Sequence, residues 1–488
     1  MKSITDLAFD NQFAQLNDCF YTKQPPTPLT NPHLVSANES VANLLGFELT
    51  TSKDTDSLVS IGSGQKVWPA AEPLAMVYSG HQFGVYNPQL GDGRGLLLGE
   101  ICTTNGDKWD LHLKGSGITP YSRQGDGRAV LRSTIREYLC SEAMHHLGIP
   151  TTRALCIVGS NEPVYRETVE TAATLIRVAK THLRFGSFEF FYYTRQHKAL
   201  KELIDFAIEQ YYPSLLGSQD QYEEFYRQTV IKTGQLIAYW QAFGFAHGVM
   251  NTDNMSLLGD TFDYGPFGFM DDYDQGFICN HSDHSGRYAF NQQPSISYWN
   301  CACLGQVLVP FIKPDTIKQL LSEFEKAFIH KYADLMRQKL GLLELTESDQ
   351  ELVQQLFTLM QKNSVDYTLF FRQLCDFIPN QQNSSIRDLF IDRDGFDNWA
   401  KQYSQRLAQQ ADSQTNRSQQ MKSVNPKYIL RNYLAQQAID KATKQQDFSE
   451  VNQLLNLLKK PFAEQPDREH YAKPPPEWGK KLTISCSS

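Results

Sequence analysis

Asp253, Asn254 and Asp263 fall within eleven residues of one another, directly after the stretch Ala246-His247-Gly248-Val249-Met250-Asn251-Thr252. Hard oxygen donors this close together suit Mg²⁺ held against phosphates, because that ion takes few protein ligands and completes its octahedron with water or phosphate oxygens. Between them, Met255, Leu257 and Leu258, a Gly259-Asp260 turn, and Thr261 with Phe262 predict a short hairpin. A polar loop whose Asn and Asp only cap turns would use the same residue types. The residues upstream decide between the two.

From Lys108 to Lys114, Trp109, Leu111 and Leu113 alternate with Asp110, His112 and Lys114, the period of a half-buried strand. Lys114 therefore ends a strand on its polar face. Gly115-Ser116-Gly117 directly behind it permits close backbone approach to a ligand. A second glycine turn, Gly125-Asp126-Gly127, opens a helix from Ala129 to Leu147 with Leu131, Ile135, Tyr138 and Leu139 as its apolar stripe. Gly148 and Pro150 stop it. Glu137 stands beside that stripe, where a carboxylate can look across at a strand. Residues 172–179 read as a buried strand carrying Arg177, and Arg184 follows closely. An arginine set in apolar sequence needs an anion, either a phosphate or a protein carboxylate. Tyr222 to Ala246 reads as one long helix that delivers the chain into His247.

At 488 residues, with 41% hydrophobic and 12% aromatic side chains, the chain has material for a large core in two lobes or more. A net charge of -8 argues against a general nucleic-acid binder, which would carry a basic field. No apolar run is long enough to span a membrane, and Met1 to Asn17 has no signal or transit pattern. Nine cysteines without a framework spacing fit a reducing compartment, so the expected location is cytoplasmic. Helices are expected at Ser40–Leu45 and from Tyr298 to Leu340, and again over 341–460, with a polar break at Gln409–Ser423. Cys279, His281, Asp283 and His284 are dense but lack a partner pair at a zinc spacing. Gly91-Asp-Gly-Arg-Gly95 is not a dinucleotide fingerprint, and neither a phosphate-binding P-loop nor a hydrolase nucleophile elbow is present.

Taken in order, the parts are a glycine-rich turn, a strand lysine, a helix glutamate, a long helix into a His-Gly loop, then Asn and Asp-Tyr-Gly. That is the order of an α+β, protein-kinase-like two-lobe fold with a sheet-rich small lobe and a helical large lobe. The expected division is 1–195 for the N-terminal extension and small lobe, 196–400 for the large lobe, and 401–488 for a helical extension and tail. Asn254 lies seven residues after His247, the kinase spacing for the metal-binding Asn. Two residues after that His, where a kinase keeps its base aspartate, stands Val249. Asp253 is the nearby carboxylate that could take over.

The chain resembles the selenoprotein O family over nearly its whole length. The matching segments include Tyr78 to Gly84, Gln89 to Gly95, Leu113 to Arg132, Arg177-Val-Ala, His247 to Asn254, Asp263 to Asp271, Asn425-Pro426, Arg431-Asn432 and a cysteine third from the end, Cys486. The resemblance implies a pseudokinase-like protein that binds ATP in an inverted orientation. Such a protein transfers AMP to Ser, Thr or Tyr hydroxyls of protein substrates, releases pyrophosphate and depends on Mg²⁺ or Mn²⁺. UMP transfer with Mn²⁺ is a variant of the same chemistry. It also implies that Gly91, Gly93, Arg94, Lys114, Asp126, Gly127, Arg177, Arg184 and Asp263 contact the nucleotide. Asn254 and Asp263 would hold the metal, Asp253 would accept the proton and Glu137 would support Lys114. Vertebrate members carry selenocysteine at the position of Cys486. Cys279, in the loop after the Asp-Tyr-Gly segment, is its expected disulfide partner in a redox latch. A phosphotransferase of divergent kinase fold and a nucleotide-binding scaffold without catalysis are the alternatives.

Overall fold

A computed structural model describes residues 3–344, 346–410 and 414–484. It is mixed α and β, built on a large antiparallel sheet. Among the described residues ten strands precede residue 180: β1 (Tyr21–Lys23), β2 (His33–Ala37), β3 (Leu74–Met76), β4 (Gly80–Gln82), β5 (Val85–Asn87), β6 (Gly95–Cys102), β7 (Lys108–Lys114), β8 (Ala129–Val130), β9 (Arg153–Tyr165) and β10 (Val169–Ala179). The sheet runs β1-β3-β6-β7-β10-β9-β2, with β8 pairing on β10, while β4 and β5 form a separate hairpin. Lys114 lies opposite Gly95 on one side and Leu175 on the other, and Arg177 lies opposite His112. Register thus fixes the lysine and the arginine on neighbouring strands.

The alternation of β7 is real, but its polar face does not meet water. Leu111 and Leu113 enter a core beneath α1 (Glu39–Leu44) and α2 (Ser52–Gly62), together with Val41, Leu58 and Ile61. On the other face Asp110, His112 and Lys114 are buried as well. There Asp110 pairs with His182 at 3.0 Å and His112 with Asp92 at 3.2 Å, and the two imidazoles stack at 4.7 Å. The expectation of a half-buried strand with a solvated polar side is corrected: α3 (Leu131–His146) covers Lys114 through its Glu137, and the connections carrying Asp92 and His182 cover Asp110 and His112 with hydrogen bonds.

Beyond the sheet the chain is mostly helical, beginning with α4 (Phe185–Tyr193), α5 (His197–Tyr211) and α6 (Gln221–Ala242). The predicted run of α6 to residue 246 is too long. Gly244, at φ +66°, turns the chain into β11 (Phe245–Ala246), which pairs with β12 (Gly268–Phe269). The predicted hairpin over 255–262 is absent. Its backbone pairs elsewhere, Ser256 with Arg184 and Thr261 with Thr151, which ties this segment to the chain just before α4 and just before β9 instead of to itself. The helical stretch expected from 298 begins earlier and is broken into α7 (Gln293–Leu308), α8 (Pro314–Leu321) and α9 (Glu323–Lys339), with Pro314 at a helix start where its missing N–H costs nothing.

The remaining helices are α10 (Glu347–Asn363), α11 (Tyr367–Leu374), α12 (Ser384–Arg387), α13 (Arg393–Leu407), α14 (Gln414–Val424), α15 (Asn432–Gln445), α16 (Ser449–Leu458) and α17 (Glu477–Lys480). Helix α14 falls inside the expected polar break. Its Arg417 is buried and donates to the Phe377 carbonyl at 2.6 Å, and Met421 is buried beside it, so tertiary contacts override a weak local signal. Helices α15 and α16 fold back onto α3. Ser36 donates to Asn452 at 2.8 Å, and Arg136 reaches Asn432 at 3.3 Å and the Phe267 carbonyl at 2.9 Å. Among the described residues no helix is long and apolar enough to cross a membrane.

Candidate active site

Gly91, Gly93, Arg94, Lys114, Asp126, Gly127, Arg177, Arg184, Asp253, Asn254 and Asp263 line one cavity of about 480 Å³. They arrive from the loop before β6, the end of β7, the turn before β8, strand β10, the start of α4 and the loop after β11. Val249 is in the same wall. Glu137 stands behind that wall on α3 and is 1% exposed.

Charge in the cavity is organised as a chain. The Glu137 carboxylate pairs with Lys114 and accepts from Arg177 Nε at 2.8 Å. Arg177 then donates to Asp263 Oδ1 at 2.6 Å, and Arg184 donates to Asp263 Oδ2 at 2.6 Å and to the Asp253 carbonyl at 2.7 Å. Arg184 is sandwiched between Tyr78 and Phe262, its guanidinium 4.4 and 4.7 Å from the two ring centres. The expected lysine–glutamate pair is therefore present, and the anions that an embedded Arg177 requires are Glu137 and Asp263.

These contacts fix protonation. Burial alone would raise the carboxyl pKa of Asp263, but Arg177, Arg184 and Lys114 outweigh it and hold the group well below the usual carboxylate range. Glu137 is lowered in the same way, its burial overcome by Arg177 and Lys114. Burial draws Lys114 down, with Glu137 opposing the shift. Asp253 behaves oppositely. Burial dominates over Arg184 and Gln82, and its carboxyl is pushed up to about 7. Two carboxylates ten residues apart thus differ in kind, one held as an anion and one poised near neutrality to gain and lose a proton.

Asp253 Oδ2 accepts from Gln82 Nε2 at 3.2 Å, and its Oδ1 is buried without a hydrogen-bond partner. The β4–β5 hairpin presses on it so closely that a side chain at Gly80 would begin 2.7 Å from Oδ1, which only glycine avoids. Asn254 gives its amide N–H to the Val249 carbonyl at 3.0 Å, which leaves its side-chain oxygen to face other partners. Asp263 uses two of roughly four acceptor positions on the arginines. Spare lone pairs on Asp263 and the Asn254 oxygen form the hard oxygen set a small divalent ion takes, so the residues fit such an ion.

Asp126 lies at the rim, where Arg166 grips it with two bonds of 2.7 and 2.9 Å. Arg166, Gln82, Tyr78 and Tyr121 belong to the same cavity and were not assigned from sequence. Gln82 and Tyr78 sit in the Tyr78 to Gly84 segment that carries part of the family resemblance, whereas nothing in the sequence around Arg166 pointed inward. Cys279 is outside the cavity, buried, with its Sγ 3.4 Å from the Ala246 carbonyl. Cys486 lies outside the described residues. Asp283 spends its carboxylate on the backbone N–H groups of Arg287 and Tyr288, at 3.0 and 2.7 Å.

A cavity whose arginines and lysine are held by carboxylates, with one carboxylate kept charged and another near neutrality, has the residue types that transfer chemistry on a polyphosphate needs. Comparison with known proteins agrees. Residues 3–459 match the family described as protein adenylyltransferase SelO. The chain is 53% identical, over 100% of both chains, to the protein nucleotidyltransferase YdiU of Azotobacter vinelandii strain DJ and to that of Pseudomonas aeruginosa strain UCBPP-PA14. It is 52% identical over the full length to the protein of that name from Pseudomonas fluorescens strain Pf-5. The chain belongs to the SelO family and so to the nucleotidyltransferases.

Proposed function

We propose that this protein transfers AMP from ATP to Ser, Thr or Tyr hydroxyls of other proteins and releases pyrophosphate. The observation that carries the reading is Asp253. It is a cavity-wall carboxylate with one buried oxygen lacking a partner and a pKa near 7, beside cations already locked in place. Such an oxygen is best satisfied by a proton. The substrate hydroxyl gives its proton to Asp253 as its oxygen bonds to the α-phosphorus, and the bond from that phosphorus to the bridging oxygen breaks. In this reading Lys114, Arg177 and Arg184 take up charge on the phosphates, with Arg94 and the glycines at 91, 93 and 127 in the wall around them. A bound divalent ion, Mg²⁺ or Mn²⁺, would be held by Asp263 and Asn254 and would neutralise polyphosphate charge. Val249 in the kinase base position argues for this reading over ordinary phosphotransfer, which would place its base there.

We read the architecture as kinase-like, with residues 1–195 as extension and small lobe, 196–400 as large lobe and 401–488 as a helical extension. That all strands of the large sheet end by residue 179 supports the first boundary. In this reading ATP lies inverted relative to a kinase, which brings the α-phosphorus to the hydroxyl. Incubation of the protein with ATP labelled on the α- or the γ-phosphate tests it. Label should reach protein from the α position alone. Transfer from the γ position would make the protein a phosphotransferase, and no transfer to any lysate protein with Mg²⁺ or Mn²⁺ would make it a scaffold. The same assay with labelled UTP and Mn²⁺ decides the donor.

A further inference from the structure

Away from the cavity, His81 on β4, Glu189 on α4 and Cys303 on α7 bring a nitrogen, a carboxylate oxygen and a sulfur within 4.8 Å of one another. The three come from elements widely separated in sequence, so the fold, not local chain geometry, assembles them. His81 Nδ1 is already 3.0 Å from Glu189 Oε1. Glu189 is fully buried, and its other oxygen accepts from the Thr252 hydroxyl at 2.8 Å. That hydroxyl oxygen in turn accepts the His81 backbone N–H at 2.7 Å. Tyr86 and Trp299 wall the imidazole, with ring centres 5.3 and 5.4 Å away. The transfer reaction uses none of the three side chains.

We infer that His81, Glu189 and Cys303 are three ligands of a divalent ion of the zinc class, with water as the fourth. Imidazole, thiolate and carboxylate together are a zinc donor set, not a magnesium one, because Mg²⁺ takes oxygen. Tetrahedral bonds of about 2.0–2.3 Å place ligand atoms roughly 3.3–3.8 Å apart. The present spread closes to that with side-chain rotation of about an ångström. Binding breaks the Cys303 S–H bond, forms a metal–sulfur bond and releases the proton to solvent. The Glu189 oxygen on Thr252 gives the ion a place in the architecture. Thr252 precedes Asp253, and Gln82, which touches Asp253, follows His81. An ion here fastens α7 and the β4–β5 hairpin to α4 just behind the catalytic loop.

Cobalt tests the site on the intact protein. Co²⁺ at Asp263 and Asn254 meets only oxygen, so a thiolate-to-cobalt absorption band in the near ultraviolet reports the second site alone. Chelator-stripped protein titrated with Co²⁺ should develop that band at one equivalent, and Zn²⁺ but not Mg²⁺ should abolish it. Cys303→Ser and His81→Ala should each lose it. Absence of the band in the unaltered protein, or its survival in either variant, overturns the proposal. X-ray absorption of the zinc-loaded unaltered protein reads the shell without any substitution: one sulfur among nitrogen and oxygen neighbours is expected, and a shell without sulfur overturns it. Neither readout depends on AMP transfer, so failure here leaves the proposed activity standing.

Discussion

Glu137→Gln and Lys114→Ala should damage this protein in different currencies. The Glu137 carboxylate is 1% exposed and serves two cations, Arg177 and Lys114. Glutamine keeps the shape, replaces one acceptor oxygen by an N–H donor and aims that donor at a cation. Removing one partner of a buried ion pair typically costs about 3–5 kcal/mol, chiefly because the remaining charge stays buried. Asp263 still holds Arg177, which puts the expected loss near the lower figure. In Lys114→Ala the cation leaves and Glu137 keeps Arg177, so the stability loss should be smaller. Its turnover should fall on the order of 10²- to 10³-fold, the usual consequence of removing one electrostatic contact to the transition state. Phosphates bring back negative charge, so saturating ATP should narrow the gap in thermal midpoint between Glu137→Gln and the unaltered protein. The assays are thermal unfolding with and without nucleotide, and α-label transfer at saturating ATP. An unchanged midpoint for nucleotide-free Glu137→Gln would refute the buried lysine–glutamate–arginine arrangement. Equal effects of both substitutions on turnover would refute the division of roles.

Asp253→Asn should lower turnover by roughly 10²- to 10⁴-fold, the usual worth of proton acceptance, while leaving ATP affinity in place. Lost ATP affinity with normal turnover at saturation would move Asp253 to the metal. Lys339, buried among Phe371, Phe243 and Tyr367 with ring centres at 4.3, 5.3 and 5.6 Å, is pushed down to about 7 by burial. Between that value and the ordinary 10.5 the unfolded chain binds the extra proton, so this residue makes stability rise with pH across the window. Lys339→Met should therefore raise the thermal midpoint at pH 7, with the advantage closing towards pH 10; an advantage independent of pH would show that packing, not charge, is responsible. The Cys279–Cys486 latch predicts a cross-linked peptide in the oxidised protein that dithiothreitol removes together with a change in activity. A Cys486 that stays alkylatable under oxidation would end that idea. The His281 N–H on the Ile484 carbonyl at 2.9 Å brings the end of the described chain beside the Cys279 loop, which favours the pairing.

The cavity residues were legible because phosphate chemistry restricts both residue type and spacing. A lysine closing an alternating strand, an arginine inside an apolar strand and an Asn-Asp pair after a His-Gly turn are each odd for a core and sensible for a site. What failed to show were the features set by long-range pairing. The segment 255–262 has hairpin chemistry, yet Ser256 and Thr261 bond to Arg184 and Thr151, partners more than seventy residues upstream. The polar side of β7 looked solvated because Asp110 and His112 are polar, and only the arrival of Asp92 and His182 makes burial affordable. Arg166 was silent because its role comes from Asp126, forty residues away. His81, Glu189 and Cys303 share no spacing rule at all; any ligand set built from a hairpin and two distant helices escapes a search by spacing.

The overall charge hides the character of the site. At -8 the chain should repel a triphosphate, yet Arg94, Lys114, Arg166, Arg177 and Arg184 converge on one cavity. Left to themselves these cations would repel one another and swing towards water. Asp263 prevents that by taking one guanidinium on each oxygen, and it does so from a backbone at φ +59°, a left-handed conformation uncommon outside glycine. Strain of this kind survives where surrounding contacts over-determine it, and two salt bridges to buried arginines do so here. The result is a pair of arginines fixed apart by a carboxylate that can also offer lone pairs to an ion. Charge that is oriented beforehand need not reorganise as the α-phosphorus changes partners, and this is where electrostatic catalysis gains most. Asp263→Asn should therefore be worse than the loss of a single charge: Arg177 keeps only Glu137 and Arg184 only the Asp253 carbonyl, the carboxylate that spaces them is gone, and ATP affinity and turnover should fall in the same variant.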